Sequence, residues 1–154
     1  MKNRYFPLFV SSEGKEVLVI GGGKIAERRI GTLTEFDFQI TVVSPALTEK
    51  LADLAETGRI VWIADSYDKK YMKDCFMVLV CTCDRKVNRR AGLDAKEKEI
   101  PVSVCDRKEE CTFFFPAVAA GEEVTAGIAG TGNDHGSVRR AAAKVREIIK
   151  GKAY

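Results

Sequence analysis

Gly21-Gly22-Gly23-Lys24-Ile25-Ala26 is the stretch whose residue types and spacing bear most directly on chemistry. It reads G-x-G-x-x-A. It lies between an apolar run, Val17-Leu18-Val19-Ile20, and a segment with Ala26, Ile30 and Leu33 at i, i+4 and i+7, the period of a helix. Strand, tight turn and helix in that order are the context a dinucleotide-binding fingerprint requires. The first glycine permits the turn, Gly23 lets the backbone approach a pyrophosphate, and Ala26 lets helix and strand pack closely. The N–H groups of the helix start, around Lys24 and Ile25, face the phosphates, and Gly22 completes the candidate set. A glycine triplet alone is commonly just a turn; its flanks make this one specific.

The acidic residue that usually follows about 20 positions on, to hold the adenosine ribose, is absent. The next apolar run ends instead in Val42-Val43-Ser44-Pro45. Ser44 has two compatible readings: it bonds the ribose hydroxyls, or with Pro45 it starts the following helix. No arginine stands near that strand end to receive a 2′-phosphate, which points to NAD over NADP. Thr82 and Cys83 follow another apolar run and fall at the carboxyl edge of the sheet, where ligands of open α/β folds bind.

Further candidates lie outside that set. Asp106 follows Val102-Ser103-Val104-Cys105; beside Arg107 and Lys108 it reads as a turn cap, and at the end of a strand it also points into the ligand crevice. His135, the only histidine, is either a solvated loop residue or a group for proton transfer or transient metal contact near a substrate. Cys81-x-Cys83 is a thiol pair at strand spacing with no other ligand motif, so no bound metal is expected. Five cysteines without a C-x-x-C indicate reduced, mostly buried thiols in a cytoplasmic protein.

These residues need elements to position them. Strands are expected at 16–20, 38–43, 60–63, 75–81 and 101–104, the fourth apolar throughout as though it were the sheet centre. Helices alternate with them: one from the glycine turn, one with Leu47, Leu51, Leu54 and Ala55 closing at Gly58, and one with Val87, Ala91 and Ala95. That alternation implies a Rossmann-type α/β fold, a doubly wound parallel sheet with right-handed crossovers. After residue 110 the pattern changes to two strands, 111–116 and 123–128, and a basic helix at 136–150. The expected division is therefore a dinucleotide-binding domain, 1–112, and a small region, 113–154.

Composition agrees with a single main core. The chain has 154 residues, 45% hydrophobic and 31% charged, as in an ordinary globular protein. The amino-terminal apolar patch is too short for a signal peptide, and no apolar run approaches the about 18 residues of a membrane helix. A net charge of +3 argues against a general nucleic-acid binder, but the charge is unevenly spread. Residues 136–154 carry six basic groups against Glu147, whereas the other 135 residues have a net charge of −2. A solvated helix face accounts for such a run; steering of a small polyanionic substrate is the functional alternative.

Several pieces, in order, carry a more specific signal. They are Tyr5-Phe6-Pro7-Leu8-Phe9; Val19-Ile20-Gly21-Gly22-Gly23-Lys24-Ile25-Ala26-Glu27-Arg28-Arg29; Thr41-Val42-Val43-Ser44-Pro45; Val87-Asn88-Arg89-Arg90; and Val104-Cys105-Asp106 followed by Phe113-Phe114-Phe115-Pro116-Ala117. Together they resemble the precorrin-2 dehydrogenase and sirohydrochlorin ferrochelatase family, which includes the amino-terminal part of siroheme synthase. The resemblance implies NAD-dependent oxidation of the tetrapyrrole precorrin-2 to sirohydrochlorin, with iron insertion credited to some members. It also implies that Asp106 is the catalytic carboxylate and that 113–154 mediates homodimerisation; His135, for proton transfer or metal contact, and Arg139 and Arg140, for attracting a substrate's carboxylates, are candidates from their own chemistry and not from the resemblance. No nucleic-acid or membrane partner is implied. The loop 129–137 departs from the family's serine-rich turn, and the helical region that often follows in the family has no counterpart here. Two alternatives stay open: an NAD-binding sensor without catalysis, and a ferrochelatase without dehydrogenase activity. The arrangement around Asp106 and Phe113-to-Pro116 favours the dehydrogenase over the sensor.

Overall fold

The computed structural model describes residues 5–130 and 135–151. Val17, Leu18, Val19 and Ile20 are buried without alternation, which a strand tolerates only when helices cover both its faces; they form β1 (Glu16–Ile20). α1 (Lys24–Leu33) follows, with Ala26, Ile30 and Leu33 buried as one stripe. The alternation continues through β2 (Gln39–Val43), α2 (Glu49–Glu56), β3 (Val61–Ile63), β4 (Met77–Val80), α3 (Arg85–Glu97) and β5 (Val102–Val104). Short 3₁₀ turns occupy Lys69–Tyr71 and Lys108–Glu110. The five strands form one parallel sheet in the order β3-β2-β1-β4-β5. This is the expected doubly wound α/β fold. On one face Leu18, Ile20, Val78, Val80, Val102 and Val104 pack with Ala91 and Ala95 of α3.

Three details differ from expectation. β1, not β4, is the middle strand; both are apolar throughout, and burial on two faces does not distinguish the centre from its neighbour. The second helix starts later than Leu47, at Glu49 behind the N-cap Thr48, so Ser44 and Pro45 belong to the preceding loop. Residues 111–116 are not a strand; the sixth strand begins only at Ala117.

The last difference has a hydrogen-bond cause. The N–H groups of Thr112 and Phe113 both donate to the Val102 carbonyl, at 2.8 and 3.4 Å. The Val102 N–H goes to Thr112 Oγ1 at 2.8 Å, and the Val104 N–H to Cys111 Sγ at 3.1 Å. Side chains therefore take partners that a sixth parallel strand would have supplied, and the outer edge of β5 is closed without a ladder. Pro116, which has no N–H, ends the segment.

The chain divides into two compact units: Ser12–Phe113, which holds the sheet, and a second made of Met1–Ser11 with Phe114–Tyr154. In the second, β6 (Ala117–Ala120) and β7 (Thr125–Ile128) pair antiparallel, Ala117 opposite Ile128. α4 (His135–Lys150) packs on this hairpin through Ala142 and Ile149. Arg146 ties the two together, its Nε and Nη2 donating to the Val118 carbonyl at 3.1 and 2.9 Å. A Cβ on Gly121 would require the Ile149 side chain to shift, so Gly121 and Ile149 pack closely. No helix among the described residues is long and apolar enough to cross a membrane.

Candidate functional site

β1, β2 and β4 end almost level. The Gly21 N–H donates to the Val43 carbonyl at 2.9 Å, and the Cys81 N–H to that of Ile20 at 2.7 Å. The three strands therefore release their chains at neighbouring points, leaving a cleft of about 500 Å³ at the carboxyl edge of the sheet. Gly21, Gly22, Gly23, Lys24, Ile25, Ser44, Pro45, Thr82 and Cys83, all singled out from the sequence, line this one cleft. Ser66, Tyr67, Asp84 and Val87 line it too.

The glycines are needed for different reasons. Gly21 has φ +108°, and a Cβ there would meet the Cys81 carbonyl oxygen at 2.7 Å. A Cβ on Gly22 would fall 2.2 Å from the Ala46 carbonyl oxygen, where the loop after β2 crosses the turn; the Thr48 N–H donates to the Gly22 carbonyl at 3.0 Å. At Gly23 no protein atom lies within 4 Å of the added Cβ. The fold thus consumes the freedom of the first two glycines and leaves open space at the third. Gly23 is also the N-cap of α1 and supplies no capping side chain; the first helical bond runs from the Glu27 N–H to the Gly23 carbonyl. The N–H groups of the first turn thus point out of a side-chain-free helix start, the donor set a pyrophosphate needs. These residues fit a bound dinucleotide.

The cleft walls are fixed by polar contacts. Ser44 Oγ donates to the Ala46 carbonyl at 2.7 Å and the Ser44 carbonyl accepts from Trp62 Nε1 at 2.9 Å, so Ser44 builds its own turn rather than capping α2. Thr82 is held by Asn88, which is fully buried: Asn88 Nδ2 donates to the Thr82 carbonyl at 3.0 Å, and Thr82 Oγ1 donates to Asn88 Oδ1 at 2.6 Å. Tyr67 donates to buried Asp94 at 2.9 Å, and Lys69 and Arg90 flank that carboxylate at 3.6 and 3.9 Å. Burial first, and then Asp94, push the Tyr67 phenol well above its ordinary range, so it stays protonated and donating. The sequence reading quoted Asn88 within Val87-Asn88-Arg89-Arg90 but gave it no site role, and it missed Tyr67. Asn88 had a signal, an amide on the apolar stripe of a helix one turn past Asp84; Tyr67 lay in a polar connection with none.

Asp106 follows β5 at the same edge of the sheet but is not among the residues lining the cleft. The preceding residue does not line it either but touches one of its walls from behind: the Cys105 N–H donates to the Val80 carbonyl at 3.0 Å and Cys105 Sγ lies 3.9 Å from the carbonyl of Thr82, a lining residue. Asp106 Oδ1 accepts from Arg85 Nη1 at 3.0 Å, and Arg85 Nη2 reaches Glu110 Oε1. The carboxylate is therefore bound to an arginine of another element rather than capping its own turn. Burial pushes the Cys81 thiol up to about 11, against the opposing pull of Arg29 at 3.6 Å, so it stays protonated at neutral pH. No group of three potential metal ligands occurs among the described residues. Arg139 and Arg140 are exposed on α4 in the second unit. The His135 side chain and residues 131–134 of the loop lie outside the described residues.

The chain matches, over residues 8–117, the family model described as "Putative NAD(P)-binding". It is 39% identical over 144 residues to the "Probable multifunctional siroheme biosynthesis protein HemA" of Ruminiclostridium josui, covering 93% of this chain and 28% of that one. It is 31% identical over 129 residues to a siroheme synthase of Neisseria meningitidis, covering 84% and 27%. The chain thus spans little more than a quarter of the length of these curated relatives. Among solved structures, SirC, a precorrin-2 dehydrogenase, shares the fold with a TM-score of 0.79 at 20% identity, over 97% of this chain and 76% of that one. The resemblance to siroheme synthases read from ordered motifs is thus met by alignments over most of the chain. With its glycine cleft at the carboxyl edge of a doubly wound sheet, the chain belongs to this NAD(P)-binding family.

Proposed function

We propose that this protein is a dehydrogenase that oxidises precorrin-2 to sirohydrochlorin, with NAD as acceptor, in siroheme formation. One observation carries the reading: a side-chain-free dinucleotide cradle and an arginine-held carboxylate, Asp106, occupy the same edge of one sheet. Relatives named for siroheme synthesis supply the substrate class. NAD supplies a hydride acceptor when bound. The oxidation removes a hydride and a proton from the macrocycle, giving sirohydrochlorin, NADH and a released proton.

The chain's residues then divide the work. The first amides of α1 and the open Gly23 hold the pyrophosphate. Ser44 Oγ, its proton committed to Ala46, accepts from a ribose hydroxyl. Among the described residues Lys24 is the only cation lining the cleft, and its pairing with Glu27 at 3.2 Å favours NAD over NADP. Asp106 stabilises the cationic macrocycle and accepts its proton. Arg139 and Arg140 attract the substrate's carboxylates. The protein acts in the cytoplasm as a homodimer, joined through the carboxyl-terminal region.

Anaerobic incubation with precorrin-2 and NAD tests this, following the tetrapyrrole spectrum and NADH together, with a parallel arm containing ferrous ion. We expect sirohydrochlorin and NADH in equal amounts, faster with NAD than with NADP. Asp106→Ala should keep NAD binding and lose most turnover. An unchanged tetrapyrrole spectrum in the presence of bound NAD would overturn the proposal.

A further inference from the structure

α3 begins with two cations directly behind its acidic N-cap, Asp84. Its first two residues are Arg85 and Lys86 and its first turn holds no acidic residue, although the amino-terminal end of a helix favours negative charge. Asp84 caps the helix through Oδ1, which accepts the Lys86 and Val87 N–H groups at 2.8 and 3.3 Å. The other carboxylates at this corner come from the segment after β5. Asp106 meets one terminal nitrogen of Arg85 and Glu110 the other. Arg85 is thus not a two-pronged partner of one carboxylate but a bridge between two, each on a separate nitrogen of a rigid planar fork. Glu110 Oε2 is buried with no hydrogen-bond partner among the described residues, so the contact with Arg85 is what compensates that carboxylate.

We propose that Arg85 and Glu110 are positioning residues for Asp106: Arg85 fixes the direction of its carboxylate, and Glu110 anchors Arg85 and keeps the three-residue cluster net negative. The charge count gives Glu110 its part. An Asp106–Arg85 pair alone is neutral and offers little to a macrocycle becoming cationic; with Glu110 the cluster carries one negative charge. The same turn adds two positive charges, Arg107 and Lys108, against one further negative charge, Glu109, which makes the second carboxylate matter more. This inference rests on the reading that Asp106 acts on the substrate, and it assigns roles that the glycine motif and the sequence resemblance do not contain.

The test is a double-mutant cycle on turnover, with NAD affinity as the check on folding. Arg85→Met should lower kcat about 10- to 100-fold with KM and NAD affinity nearly unchanged, the scale of loss expected when a reacting group is misplaced by about 1 Å. In an Asp106→Ala background the same change should cost nothing further. Guanidinium ion should restore part of the turnover of Arg85→Gly and none of that of Asp106→Ala. Glu110→Gln should lower kcat several-fold without changing KM. If Arg85→Met fails to fold because Glu110 is left unpaired, Arg85→Met/Glu110→Gln removes the stranded charge and is read instead. Near-normal turnover of Asp106→Ala would defeat the reading of Asp106 itself. Loss of turnover in Asp106→Ala, with Arg85→Met either fully active or additive to it, would defeat the positioning roles alone.

Discussion

Three consecutive glycines make a test of how much a single residue can mean. Gly22→Ala drives a methyl group against a backbone carbonyl at 2.2 Å, and a carbonyl of the crossing loop cannot yield as a side-chain tip can. We expect it to cost roughly 1–3 kcal/mol of stability, as overpacking does, and to displace the 44–48 loop. Gly23→Ala meets open space, so its thermal midpoint should stay near wild type while NAD affinity falls at least about tenfold, or 1.4 kcal/mol. Thermal melts and calorimetric titration of the two variants check this; equal NAD affinity in Gly23→Ala would remove the pyrophosphate from that spot. The sequence motif located the turn and assigned work to Gly21 and Gly23. It counted Gly22 in the candidate set without a reason for its being glycine, because the Ala46 carbonyl arrives through the crossover after β2, and local spacing does not record which loop crosses where. Ser44 was half legible for the same reason: its place at the strand end was readable, its bond to Ala46 was not.

At the scale of elements, α3 organises the site. Successive residues of this one helix reach three corners: Arg85 holds Asp106, Asn88 clasps Thr82, and Asp94 with Arg90 holds Tyr67. Asn88→Ala leaves the Thr82 backbone and hydroxyl without their buried partner, at a cost of about 1–3 kcal/mol. NAD affinity should fall with it, because the turn after β4 is a cleft wall. Tyr67→Phe keeps the ring and gives up only the bond to Asp94, which still has Lys69 and Arg90; Tyr67→Ala removes the wall. Binding by Tyr67→Phe near wild type and weakened binding by Tyr67→Ala is the expected order, and equal weakening of both would show that the hydroxyl, not the ring, matters. The helix itself was readable from Val87, Ala91 and Ala95 because apolar periodicity reports which face is buried. Its polar reach was not, since Arg85, Asp94 and their partners lie 21 and 27 positions apart in the chain. The segment 111–116 failed in the opposite sense: its apolar run imitates a strand, while Thr112 and Cys111 side chains take the ladder's partners.

For the whole molecule, the two units differ in how well each closes its own core. The sheet unit buries all of β4, and β1 from Val17 to Ile20. The second unit has one two-stranded hairpin and one helix, and a lone hairpin is marginal without packing. Its members also expose apolar surface: Phe6 is 89% exposed, Leu8 77% and Phe9 66%, with Ile148 of α4 at 53%. Scattered apolar residues are ordinary on a surface, but a run of them beside a small core is costly to leave in water. A second copy of the chain, related by a two-fold axis, can cover such a surface on both protomers at once. Sedimentation at micromolar concentration should therefore give twice the mass of the chain. Phe6→Ser/Phe9→Ser should shift the equilibrium toward monomer while leaving NAD binding to the sheet unit intact. A wild-type monomer would contradict the assignment of the carboxyl-terminal unit to dimerisation. A variant that still dimerises would confine the interface to the hairpin and α4.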